Sequence, residues 1–120
     1  MKETPQQYTQ RILGYVDGKQ PLEVQATTAE KLEHLVKDVP TTKLRERPAG
    51  DKWSVSEIVA HLGDAEIVTG FRMRLILGAP GAPIAAYDAD SWVASGHYEK
   101  RDPRKSVEQF RVLREASQDE

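Results

Sequence analysis

Wherever the chain is patterned, its apolar residues recur at helical spacing. Tyr8, Ile12 and Val16 lie four apart, and Leu32, Leu35, Val36 and Val39 follow at intervals of one, three and four. A longer series runs through Ile58, Leu62, Ala65, Thr69, Met73 and Ile76, and a last one through Val107, Phe110 and Leu113. Recurrence of this kind turns one side of a helix to the interior, whereas a half-buried strand alternates every second residue, and no segment here alternates. The pattern predicts an all-α protein with a short helix near 5–16 and three principal helices near 21–39, 54–77 and 103–118.

Capping signals sharpen these limits. Thr4-Pro5 places a capping side chain before a proline at the first helical position, and Asp17-Gly18 ends that helix. Gln20-Pro21 starts the next, which Pro40 closes. Pro40 to Lys52 reads as a connector, with Pro48-Ala49-Gly50-Asp51 as a turn. In KWSVSEIVAHLGDAE, Ser54 and Glu57 form a capping box, and Trp53 is expected to staple against Ile58. Gly78, Ala79 and Pro80 stop this helix. From Gly78 to Arg101 a long loop is expected, kept ordered by Tyr87, Trp92 and Tyr98. Asp102-Pro103 opens the final helix. Its last residues, Ser117, Gln118, Asp119 and Glu120, supply no stop signal, so the helix is expected to be cut short.

A length of 120 residues fits a single domain spanning 1–120. A net charge of −2 gives no electrostatic reason to expect nucleic acid or an anionic membrane as partner. The basic cluster Lys100, Arg101, Arg104 and Lys105 is interrupted by Asp102 and reads as a solvated helix start. Without cysteine there is no thiol nucleophile and no thiolate metal site. No signal-peptide core and no run of about 18 apolar residues is present, so a cytoplasmic protein is expected.

Chemistry then rests on three histidines. At about 100° per residue His34 falls opposite the apolar stripe of its helix and is expected in solvent. His97, in the long loop, is expected at the surface. His61 sits on the shoulder of its apolar stripe beside Ala65 and Val68, with Arg72 further along the same side. It is either a core residue held by a hydrogen bond or a ligand at the rim of a bundle. Glu66, on the opposite shoulder near Met73, reads as a rim carboxylate paired with an arginine. No GxSxG, phosphate-cradling glycine loop or HExxH occurs.

KWSVSEIVAHLGDAEIVTGFRMRLIL, followed by IAAYDADSW, resembles the DinB/YfiT-like superfamily of small helical proteins, through Trp53, Ser54, His61, Asp64, Arg72, Arg74, Tyr87, Asp88 and Trp92. The resemblance covers about residues 20 to 117. It implies an up-down four-helix bundle with long crossover loops. It also implies a zinc or nickel ion held by three histidines, one on the second helix and two in an HxxxH on the fourth. Thiol S-transferase or hydrolase activity on small molecules is implied as well. His61 corresponds to the second-helix ligand. The fourth helix and its HxxxH are absent from this sequence, and neither His34 nor His97 replaces them. An incomplete or inactive enzyme scaffold is therefore expected, binding metal weakly unless His97 or a second chain completes the site. The competing expectation is a non-catalytic binding or dimerisation module with His61 buried structurally. In either case apolar side chains drawn from Leu32, Leu35, Leu62, Ile76, Phe110 and Leu113 are left uncovered, and a homodimer is expected to cover them.

Overall fold

A computed structural model describes residues 3–118, without the side chains of Val16 and Gln118, and among the described residues it is helical with no strand. In chain order the elements are α1 (Pro5–Val16), α2 (Pro21–Val36), α3 (Thr41–Leu44), α4 (Val55–Gly78), α5 (Ala89–Ser95), a 3-10 turn (Tyr98–Lys100) and α6 (Pro103–Gln118). Both capping boxes form, at Thr4 with Gln7 and at Ser54 with Glu57. Asp119 and Glu120, which carry part of the missing stop signal, lie outside the described residues.

Packing centres on α6, which lies against both α2 and α4. Contacts pair rising residue numbers on α4 with rising numbers on α6. The Ser56 hydroxyl donates to the Arg101 carbonyl at the entrance of α6, and Glu66 meets Arg114 further along. Those two helices run parallel, which the long crossover between them makes possible. Against α6 the order on α2 is reversed, with Val36 beside Arg104 and Gln25 beside Arg114, so α2 is antiparallel. Val36, Leu44, Val59 and Val107 form one core cluster, and Leu32 and Val39 pack on it. Ala60, Val93 and Tyr98 form a second, with Trp53 against it.

α2 ends at Val36, earlier than the apolar spacing through Val39 predicts. Its exposed carbonyl end is closed by Arg104, which donates to the carbonyls of Val39 (2.7 Å) and Val36 (3.2 Å) and to the Thr41 hydroxyl (3.0 Å). Arg104 and Arg101 are thus engaged, and the basic cluster is not simply a solvated helix start. The connector holds α3, whose Leu44 joins the core, and the expected loop from 78 to 101 holds α5 and the 3-10 turn. Short amphipathic turns of this length fall below what apolar periodicity can reveal. Between α5 and the 3-10 turn, a Cβ on Gly96 would come 2.5 Å from the Tyr98 ring and 2.8 Å from the Trp92 carbonyl. Only glycine lets the chain turn there and bury Tyr98.

The face that α4 buries differs from the one its large apolar residues outline. Ser56, Val59, Ala60, Gly63 and Gly70 are buried, while Ile58 is 41% and Ile76 46% exposed. Small side chains let the α6 backbone approach, so the contact is invisible to a search for bulky hydrophobics. Trp53, expected to staple against Ile58, packs on the cluster of Ala60, Val93 and Tyr98. Leu35 is 70% exposed, outside the stripe assigned to it, whereas Phe110, expected to be uncovered, is buried. α1 folds as predicted, yet its described side chains are all exposed.

Candidate functional site

The site grows from the start of α4. Glu57, 1% exposed, accepts from the Ser54 amide (3.0 Å) while the Ser54 hydroxyl accepts from the Glu57 amide (3.1 Å). Arg47, from the connector, clamps the same carboxylate with two bonds of 2.9 and 2.6 Å. This guanidinium, helped by the Ser54 amide and hydroxyl, outweighs burial and holds the Glu57 carboxyl down at about 2. Glu57 therefore stays ionised and fixes the first turn of α4, together with the approach of Trp53.

Two turns along, the His61 ring rests on the Trp53 indole, centroid to centroid 5.2 Å and tilted 55°. His61 is half-buried, and neither ring nitrogen has a hydrogen-bond partner among the described residues. A core histidine held by a hydrogen bond, the bland alternative from the sequence, does not describe this geometry. One turn further, Asp64 lies 3.9 Å from the Arg101 guanidinium, which covers the Tyr98 ring at 4.1 Å.

The crossover packs along the same side of α4. Arg72 donates to the Ala85 carbonyl at 2.7 Å, and its guanidinium lies 5.8 Å from the Tyr87 ring centroid. Tyr87 in turn contacts Trp92 with centroids 4.4 Å apart. Asp88 caps α5 through the Ser91 amide and hydroxyl, whose bonds lower its carboxyl pKa. The YDADSW stretch is thereby a folding device that holds two aromatic rings beside α4.

Of the other sequence candidates, His34 is exposed on α2 as expected. His97 is exposed and lies 3.4 Å from Glu99, in a left-handed backbone conformation with φ 51°. Glu66 is paired with Arg114 at 2.7 Å, as its position on the shoulder of α4 predicts. The structure thus gathers Trp53, His61 and Arg72 along one side of α4 and leaves His34 and His97 elsewhere. The Arg47–Glu57 and Arg101–Asp64 pairs escaped sequence reasoning. Their partners are ten and thirty-seven residues apart, and no local spacing rule links them.

The resident metal that the resemblance implies needs three protein donors in a catalytic site. Among the described residues no three His, Asp or Glu side chains gather closely enough to hold a metal ion. His61 fits one ligand, being packed on one side and free at both nitrogens, but the described residues do not fit a complete centre.

Three long helices joined through a crossover, with an unpartnered imidazole on the middle one, define a bundle scaffold of the crossover kind. The chain belongs to the DinB superfamily, which it matches over residues 26–120. It is similar in structure to YfiT from Bacillus subtilis, with a TM-score of 0.75 at 20% sequence identity. That protein is described as a probable metal-dependent hydrolase with an unusual four-helix bundle topology. The match covers 98% of this chain and 62% of YfiT, and it shows the fold. No curated protein matches the chain. No helix among the described residues is long and apolar enough to cross a membrane.

Proposed function

We propose that this chain is the scaffold portion of a metal-dependent hydrolase or thiol S-transferase acting in the cytoplasm on small molecules. In this reading His61 supplies one ligand to a zinc or nickel ion, and the remaining ligands come from outside the described residues. The observation that carries the reading is His61 itself, half-buried, steadied by Trp53 and unpartnered at both nitrogens. Its ring nitrogens are not buried, so an imidazole oriented by a ring contact and bonded to no described residue is open to a ligand from outside. The description of YfiT as a metal-dependent hydrolase supports the same class.

Alone, one imidazole binds a divalent ion weakly. Isothermal titration with zinc or nickel is expected to show weak binding that His61→Ala removes. Binding that His61→Ala leaves unchanged would overturn the reading. Tight stoichiometric binding lost in His61→Ala would instead reveal a site shared between copies.

A second reading has its own observation. Val55, Ile58, Leu62, Met73 and Ile76 fall along one side of α4 by helical rotation, and all but the half-buried Leu62 are exposed. The charge on that stripe, Glu66 beside Met73, is partly buried and paired with Arg114 at 2.7 Å, which leaves the apolar residues to suit a dimerisation module in which two copies present them to each other. Sedimentation equilibrium at micromolar concentration tests it, a homodimer being expected and a cooperatively folded monomer counting against it.

A further inference from the structure

We infer that the cleft where α2, α4 and α6 meet is a binding site for a small uncharged polyol, separate from His61. A cavity of about 290 Å³ lies there, lined by Gln25 of α2, by Glu66, Thr69 and Met73 of α4, and by Arg114 and Ser117 of α6. Glu66 is about 140° round α4 from His61, so the cavity stands whether or not the imidazole binds a metal. Its wall charges cancel. Arg114 donates to one Glu66 oxygen at 2.7 Å and to the Gln25 carbonyl at 3.0 Å, and its guanidinium lies 4.7 Å from the Phe110 ring. Held from three helices, this pair is fixed, and a ligand with a net charge would have to compete with one partner for the other. Arg74, the next cation along, donates to the Gly70 carbonyl and does not line the cavity. An uncharged ligand is therefore favoured.

What the wall leaves open is a set of groups that take hydrogen bonds and mostly also give them. The second Glu66 oxygen accepts, while the hydroxyls of Thr69 and Ser117 and the carboxamide of Gln25 both donate and accept. None of these has a bonding partner among the described residues. A helical hydroxyl commonly turns back onto a carbonyl of its own helix, as those of Thr9, Thr27, Thr28 and Ser95 do. Thr69 and Ser117 do not, and keep theirs for the cavity. The free atoms of Glu66 and Ser117 are not sealed in, so a ligand can reach them. Ligand hydroxyls also donate and accept, so several can pair with this set and strand neither a charge nor a lone donor. Met73 offers an apolar wall to the carbon skeleton, and a cavity at the small end of ligand sites suits about four to six carbons.

Met73 also supplies the test, because the chain has two methionines and the other is Met1. With methionine methyls labelled in carbon-13, xylitol and its carboxylate counterpart xylonate are titrated into the full chain. Xylitol should move the Met73 signal saturably, at about ten-fold lower concentration than xylonate. Thr69→Val and Ser117→Ala, which remove single hydroxyls, should each raise the xylitol midpoint about five-fold. Glu66→Gln keeps the side-chain shape but leaves the Arg114 charge unmatched, and should reverse the preference in favour of xylonate. Should that variant fail to fold, the two hydroxyl variants decide. A response linear in xylitol and shared by Met1 is a solvent effect and would overturn the inference. Equal response to xylitol and xylonate in the native chain, or a midpoint unchanged in Thr69→Val and Ser117→Ala alike, would overturn it too. His61→Ala should leave the titration as it is, so loss of the metal reading does not touch this site; a xylitol response lost with His61 would refute it.

Discussion

α4 shows two sides built on opposite plans. Toward α6 it presents Ser56, Gly63 and Gly70, seven residues apart, where almost nothing projects and the partner helix comes close. About a third of a turn round, it presents Val55, Ile58, Met73 and Ile76, bulky and exposed. The side that a hydrophobicity pattern marks as core is the open one. The side that forms the core owes its burial to the lack of side chain and to fixed charges at its start. His61 and Arg72 belong to neither side: by rotation they lie nearly opposite the glycine and serine face and a little under a quarter turn from the open stripe.

That contrast can be broken most severely at the charged anchor. Glu57→Ala should cost about 3 kcal/mol in urea unfolding, because it strips two bonds from Arg47 and leaves the Ser54 amide without its acceptor. A loss under about 1 kcal/mol would mean that the clamp does not secure the start of α4. On the closed side, Gly63→Leu should destabilise by about 2 kcal/mol, since a Cβ there already lies 3.5 Å from the Gln109 side chain and the further atoms of leucine must displace that side chain from the contact. The open stripe should respond in the opposite way. Ile76→Ser is expected to shift monomer unfolding by no more than about 0.5 kcal/mol while weakening self-association in sedimentation equilibrium.

Acid probes the same anchor without mutation. The folded Glu57 carboxyl is held at about 2 against an ordinary value of 4.5, so its contribution is complete above about pH 5 and fades as pH falls toward 2. The half-exposed Arg47 is screened by solvent, which limits the loss to about 2 kcal/mol over that window. Urea midpoints measured from pH 6 to pH 2.5 should fall for the native protein and stay flatter for Glu57→Gln. Parallel curves would place the acid sensitivity in another group.

Helix positions and caps were legible in the sequence because they rest on local signals: Thr4-Pro5, Ser54 with Glu57, and Asp102-Pro103 all open helices where expected. The motif segments also pointed to the DinB superfamily, and the rotation of His61, Arg72 and Glu66 about α4 followed from spacing alone. What stayed hidden is non-local. A glycine and serine face gives no apolar signal, so the contact of α4 with α6 was assigned to the wrong residues. Arg104 closing α2 and Arg101 meeting Asp64 depend on how the crossover returns, which no window of the sequence records. Trp53 packs on the Ala60, Val93 and Tyr98 cluster and also meets the His61 ring, a placement set by residues of the crossover.

The central claim, that His61 is kept free to bind a metal, is tested most directly by long-range proton–nitrogen correlation spectra of the three imidazoles during a zinc titration. Even weak binding shifts the ring nitrogen that coordinates. The account predicts that the His61 resonances move progressively while those of His34 and His97 stay in place. Movement of His34 or His97 with His61 unchanged would contradict it.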